Sequence, residues 1–167
     1  MKITWYGTAT VGIDDGKTKL LFDPFVRMNK HIETTPIEGF VGFDAVFVTH
    51  GHFDHIWDNA SLQRHFEGIP LICHTLDAFL LQSDVFDLGL TPSNPTFLIE
   101  AYKSKQTLSL EGIEIHFHHF PGHTPGCCMI EIQGHIFSGD FIFYRSIGRS
   151  DFAYSNPDDM RESLLRF

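Results

Sequence analysis

Basic residues are scarce in this chain: 12 Lys and Arg stand against 21 Asp and Glu, a formal net charge of −9. A phosphate backbone is held by clustered cations, so nucleic acid is excluded as the main partner. Long apolar runs are missing too. No stretch approaches the roughly 18–20 residues of a membrane-spanning helix, so no membrane partner is expected. Met1-Lys2-Ile3 leads straight into a strand without a signal-peptide pattern, and a cytoplasmic location is the default. Cysteines number only three. Cys127 and Cys128 are adjacent, and neighbours on a strand point to opposite faces, so they cannot easily pair. Cys73 lies in the apolar run Pro70-Leu71-Ile72-Cys73, and no C-x-x-C occurs. All three read as reduced core residues. No repeat or low-complexity stretch appears. Oligomeric state is open.

What is present is apolar and histidine-rich. With 167 residues, 43% hydrophobic content and 17 Phe, the chain reads as one globular domain over 1–167. Immediately after the buried-strand run Ala45-Val46-Phe47-Val48 comes Thr49-His50-Gly51-His52-Phe53-Asp54-His55. Buried polar side chains without partners are costly, so such a cluster normally holds a ligand. Imidazole and carboxylate together suit zinc, with iron or manganese as alternatives. His50 and His52 are two apart, so extended backbone turns both to one side. Asp54 and His55 are consecutive and diverge, which suits a second cation. Two such metals about 3.5–4 Å apart can clamp attacking and leaving oxygens together. The bland reading, surface histidines on a loop, fits one or two His better than this spacing.

Further ligands lie downstream. Pro121-Gly122-His123-Thr124-Pro125-Gly126 is a rigid turn with His123 at its apex. His135-Ile136-Phe137-Ser138-Gly139-Asp140 is a short apolar strand ending in Gly-Asp, whose carboxylate is placed to bridge two cations. Alone, Gly-Asp is an ordinary turn dipeptide.

The rest alternates strand and helix, an α/β layer pattern. A strand hairpin opens the chain: Ile3, Trp5, Val11 and Ile13 are apolar, Asp14-Asp15-Gly16 turns, and 19–23 returns. Residues 24–43 form a long loop in which Phe25, Met28 and Phe40 are either substrate contacts or packing. A helix follows the metal loop with Asp58 or Asn59 as N-cap, and another runs over 75–82. Residues 83–112 read as a lid or connecting loop. Over 113–120, Ile113, Ile115 and Phe117 share one face, leaving His116 and His118 toward solvent. His65 reads as a surface residue, His74 has a possible pocket role, and His119 can support the His123 turn. Asn156-Pro157-Asp158-Asp159 starts the last helix with an Asn cap, Pro at its first position and acids in its first turn.

These residues resemble the metallo-β-lactamase superfamily. The segment 49–55 looks like its HxHxDH motif, His123 like its third histidine and Asp140 like its bridging aspartate. The resemblance implies an αββα sandwich with His50, His52 and His123 on one metal and Asp54 and His55 on the other. Asp140 and a water-derived hydroxide would bridge them. Ser146-Ile147-Gly148-Arg149-Ser150-Asp151 is similar to the stretch after that aspartate in glyoxalase II-like thioesterases. Ile3-Thr4-Trp5-Tyr6-Gly7-Thr8-Ala9-Thr10 and Leu21-Phe22-Asp23-Pro24 look instead like a lactonase-like branch, where Thr8 usually is His. Relatives carrying Glu at His52 reduce oxygen, and those carrying Cys or Ser at Asp140 hydrolyse β-lactams, so both activities are disfavoured.

One feature departs from the family pattern, which has a further histidine after the bridging aspartate. All eleven histidines here lie at or before His135. The domain is therefore expected to be C-terminally short relative to the family, without its final strands and helix, and with a weak second metal site. The reading that results is a metal-dependent hydrolase of a small thioester or ester, hydroxyacylglutathione hydrolase-like. Asp54 would act catalytically by orienting the hydroxide as well as ligating. A thiolate leaving group needs no dedicated general acid. Tyr144 and Arg145 are placed to meet the carboxylates of an anionic substrate, against the plainer reading of a packed Tyr and a surface Arg. The alternatives are a lactonase of the same superfamily, or a truncated fold that binds metal without catalysis.

Overall fold

The computed structural model describes residues 1–29 and 37–167. The chain divides into two compact units: Met1–Val48, His52–Ile72 and Ala78–Phe97 form the first, and Thr49–Gly51, Cys73–Asp77 and Leu98–Phe167 the second.

A six-stranded sheet is ordered β1 (Lys2–Gly7), β2 (Thr10–Asp14), β3 (Lys19–Phe22), β4 (Ala45–Phe47), β5 (Leu71–His74) and β6 (Phe97–Ile99), with β1 to β4 wholly in the first unit. β1, β2 and β3 pair antiparallel, whereas β3–β4 and β4–β5 are parallel. Parallel strands are covered on both faces and need unbroken apolar runs. Leu20-Leu21-Phe22 and Ala45-Val46-Phe47 supply them, all buried, with the rings of Phe22 and Phe47 stacked at 5.4 Å. The expected opening hairpin is three strands, not two. Gly7 and Thr8, both at positive φ, insert a turn between β1 and β2. β1 lies at the edge of the sheet, and Trp5 on it is 63% exposed. The Asp14-Asp15-Gly16 turn forms as read: Asp15 Oδ1 accepts from the backbone N–H groups of Lys17 at 2.9 Å and Thr18 at 2.7 Å.

Helices α1 (Phe53–Ile56), α2 (Asn59–His65) and α3 (Ala78–Gln82) also belong to the first unit. Asp58 stands at the N-cap position of α2, but its side chain makes no cap hydrogen bond. Its carboxylate instead accepts from the Val26 N–H at 2.6 Å and the Arg27 N–H at 3.0 Å, and meets the Arg27 guanidinium. It thereby pins the loop after β3. Within the long loop expected over 24–43, Phe40 is core, packed on Tyr6 at 5.0 Å, while Met28 is exposed and Phe25 meets Phe53 edge-on at 6.3 Å. Residues 30–36 of that loop lie outside the described residues.

In the second unit β7 (Lys105–Leu110), β8 (Ile113–His119), β9 (Cys128–Ile132) and β10 (His135–Phe137) form an antiparallel sheet ordered β10-β9-β8-β7. The alternation of β8 is as read, with Ile113, Ile115 and Phe117 buried and His116 and His118 on the wetter face. His118 meets Glu131 there at 2.9 Å. The segment 83–112 is not one loop, because β6 and β7 lie in it. A short 3-10 turn, Thr75–Asp77, precedes α3 where one helix was expected. A hairpin of β11 (Ile142–Phe143) and β12 (Ser146–Ile147) follows Asp140, and α4 (Pro157–Arg166) closes the chain. Asn156 caps α4 as its sequence requires, accepting from the Asp158 N–H at 2.9 Å and the Asp159 N–H at 3.2 Å. Phe120, Cys127, Met129, Phe141 and Met160 form a buried cluster, with Phe120 and Phe141 stacked at 4.8 Å. All three cysteines are buried, and burial pushes the Cys73 and Cys128 thiols far up. Among the described residues no helix is long and apolar enough to cross a membrane.

Candidate metal centre

Three of the expected ligands meet within the second unit. The rings of His50 and His123 lie 4.6 Å apart at 71°, and His123 Nε2 is 3.6 Å from Asp140 Oδ2. Both histidines are buried and Asp140 is half-buried. Imidazole nitrogens and a carboxylate oxygen are donors of the kind that suit zinc or iron.

Each of the three is positioned by backbone. The Thr49 carbonyl accepts from the Cys128 N–H at 2.9 Å, tying the His50 loop to β9. His123 Nδ1 lies 2.7 Å from the Arg149 carbonyl, and its own carbonyl accepts from Ser155 Oγ at 2.7 Å. A carbonyl only accepts, so the proton sits on Nδ1 and the Nε2 lone pair faces Asp140. Gly139, at φ 50°, lets Asp140 approach: a Cβ there would fall 2.5 Å from Thr49 Oγ1. The Gly-Asp dipeptide does form a turn, with the Phe141 N–H donating to the Ser138 carbonyl at 3.2 Å, and Gly139 brings that turn against the His50 loop.

The first unit carries His52, Asp54 and His55. His52 precedes α1 and is buried edge-on to Phe86 at 5.8 Å. Asp54 sits in the first turn of α1, partly exposed. His55 Nε2 is 3.9 Å from Asp54 Oδ2, while His55 Nδ1 is 3.0 Å from the buried carboxylate of Asp23. A carboxylate behind a histidine fixes the ring and raises its basicity. In the sequence Asp23 stands only within Leu21-Phe22-Asp23-Pro24, a segment that assigns it no role. An acid closing a buried strand was the available signal.

Tyr144 and Arg145 form the tip of the β11–β12 hairpin. Tyr144 is 85% exposed, Arg145 has φ 62°, and the guanidinium sits 5.0 Å over the Tyr144 ring. Tyr144 is therefore not packed, which removes half of the plainer reading.

Two histidines of the second unit stand apart from these ligands. His74 and His119 are buried and stacked at 4.1 Å and 11°, with Tyr102 edge-on to both. The Leu76 N–H donates to His74 Nδ1 at 3.1 Å and the Lys103 N–H to His119 Nδ1 at 2.8 Å. His119 Nε2 donates to the Pro125 carbonyl at 2.8 Å, supporting the His123 turn from behind. Burial pushes His74 down to about 4, and depresses His119 for the same reason. Both are neutral at pH 7. A buried carboxylate, Asp77, joins the two ligand loops of this unit and had no part in the sequence reading.

Residues 4–167 match the family described as the Metallo-beta-lactamase superfamily. An uncharacterized protein of Mycobacterium tuberculosis is 31% identical over 72% of this chain and 61% of its own length. This chain thus spans about three-fifths of that relative. The hydroxyacylglutathione hydrolase GloC of Haemophilus influenzae is 30% identical over 90% of this chain and 74% of its own. Among solved structures, TTHA1623 in a di-iron-bound form superposes with a TM-score of 0.71 at 26% identity, covering 99% of this chain and 85% of that one. With its sheets, its histidine and aspartate pattern and a family match along nearly all its length, the chain belongs to the metallo-β-lactamase superfamily and has its fold.

Proposed function

We propose that this chain is a metal-dependent hydrolase of small thioesters or esters, with a hydroxyacylglutathione-type thioester as the leading substrate. The observation that carries the reading is the approach of His123 to both the His50 ring and the Asp140 carboxylate. Following the family pattern, His50, His52 and His123 would hold one divalent cation, Asp54 and His55 a second, and Asp140 both. Zinc is the first choice, and the di-iron form of TTHA1623 keeps iron in play. Such cations supply a nucleophile from water at neutral pH and draw charge from the reacting carbonyl.

The chain's own residues do the rest. The Arg149 carbonyl holds His123 in the ligating tautomer. Asp23 holds His55 from behind. Asp54, partly exposed, would orient the attacking hydroxide as well as ligate. A thiolate departs without protonation, so no separate acid is required. Thioester preference is supported by the likeness to GloC along 90% of the chain. It is supported too by the Ser-Ile-Gly-Arg-Ser-Asp run, whose Gly148 and Arg149 pack against Asp140 and His123. Arg145 at the hairpin tip would meet a substrate carboxylate.

The test is turnover of S-lactoylglutathione beside acyl-homoserine and sugar lactones, with metal per chain measured by elemental analysis. The expected result is bound metal and thioester hydrolysis, both lost in His123→Ala. Lactone turnover alone would move the chain to the lactonase reading. Metal without turnover of any ester would leave a non-catalytic metal-binding fold.

A further inference from the structure

Asp77 ends the 3-10 turn after β5, is fully buried, and takes no part in the proposed reaction. Its Oδ2 accepts from the Gly51 N–H at 2.8 Å and from Thr124 Oγ1 at 2.6 Å, and its Oδ1 accepts from the Gly126 N–H at 2.6 Å. Gly51 follows His50 directly, and Thr124 and Gly126 belong to the turn that carries His123. One carboxylate therefore holds the backbones of both ligand-bearing loops. Gly126 leaves no slack, since a Cβ there would lie 2.8 Å from Asp77 Cγ.

A buried carboxylate is a costly way to fasten two loops. Burial pushes Asp77 up to about 6, while its hydrogen bonds from Thr124, Gly126 and Gly51 pull it down. Among the described residues no Lys or Arg forms an ion pair with it. Two of its three donors are backbone N–H groups, which can only donate. An amide in its place would turn its NH2 toward Gly51 or toward Gly126, and lose one of them either way. The geometry calls for an acceptor at both oxygens, which asparagine cannot supply.

We infer that Asp77 is a positioning residue for metal binding: by accepting from Gly51, Thr124 and Gly126 it sets His50 and His123 in the register that one cation needs. This rests on the reading of His50 and His123 as ligands.

The experiment is titration of metal-stripped protein with Co²⁺, following the visible absorption spectrum and the affinity by chelator competition, beside thermal unfolding of the apo form. Groups that orient ligands typically change metal affinity about 10–100-fold. Asp77→Asn should lose cobalt affinity in that range and shift the visible band. Thr124→Val, which removes one donor and keeps the carboxylate, should lose less, at most about 10-fold. Both apo forms should unfold near the wild-type temperature. Wild-type affinity and spectrum in Asp77→Asn would overturn the proposal. So would a fall in affinity that only tracks a fall in apo unfolding temperature, with an unchanged spectrum. Should Asp77→Asn not fold, Thr124→Val decides alone, and unaltered cobalt binding there counts against the proposal. A wild-type chain that takes up no cobalt would sink the metal reading itself, a different failure that needs no variant to see.

Discussion

Gly148 lies directly against Asp140: a Cβ built on it would fall 1.7 Å from the Asp140 carbonyl oxygen and 3.4 Å from His123 Nδ1. The Gly148 N–H donates to the Phe141 carbonyl at 3.1 Å, and the next residue's carbonyl holds the His123 ring at 2.7 Å. Two residues after β12 therefore hold the backbone of Asp140 and the imidazole of His123.

Gly148→Ala should for that reason disable the site. The backbone angles of Gly148 fall outside the left-handed region, so alanine fails by collision alone. A shift of about 1 Å in a reacting group can cost about 100-fold in rate. Overpacking adds roughly 1–3 kcal/mol of destabilisation. Turnover should drop at least about 100-fold and metal per chain should fall. Full metal content with wild-type kcat would show that Asp140 tolerates the displacement.

Asp23 makes a different prediction, because its carboxylate lies 3.0 Å from His55 Nδ1 and is not itself one of the expected ligands. Asp23 has φ 46°, and its carbonyl accepts from Thr10 Oγ1 at 2.8 Å. Asparagine tolerates that backbone region and keeps the volume, so Asp23→Asn isolates the loss of charge behind the imidazole. Metal affinity should weaken about 10–100-fold while the far-UV circular dichroism stays that of the wild type. Equal affinities by chelator competition would reduce Asp23 to a packing residue.

The ligands were legible because their chemistry is local: His50, His52, Asp54 and His55 crowd behind an apolar strand, and His123 sits between two Pro-Gly pairs. What holds them was not. Asp58 looks like a helix cap in sequence, yet its oxygens go to Val26 and Arg27, some thirty residues upstream. Asp77 reaches Gly51, Thr124 and Gly126 across 26, 47 and 49 residues, and no spacing rule encodes such pairings. β6 and β7 were missed for another reason. In β6 both Phe97 and Leu98 are exposed, and β7 alternates through Lys105-Gln106-Thr107 without a strong apolar face. Only pairing with β8 makes β7 a strand.

Arg145 tests the substrate assignment. It is exposed at a turn, with its guanidinium over Tyr144. Exposed ion pairs contribute up to about 1 kcal/mol, so Arg145→Ala should raise KM for S-lactoylglutathione roughly 2- to 5-fold and leave kcat unchanged. A neutral thioester lacking carboxylates should show no such change. An unaltered KM for both would make Arg145 an ordinary surface residue.

The stacked histidines give the fold an acid-side weakness. Burial drops His74 to about 4 in the folded protein, against about 6.5 when unfolded. The unfolded chain therefore binds the extra proton first as pH falls. Stability from this group is complete above pH 6.5, declines between 6.5 and 4, and is level below. Its size is about 3 kcal/mol at most. Asp77 opposes it, since a carboxyl raised to about 6 makes stability fall as pH rises from 3.8 to 6. The wild-type curve mixes both, so a difference is required. In His74→Asn the amide oxygen can still accept from the Leu76 N–H, and no titrating ring faces His119. Urea unfolding at pH 7.0 and pH 4.5 should show a larger loss in wild type than in the variant, by roughly 1–3 kcal/mol. Equal losses would mean that His74 accepts its proton without cost inside the fold.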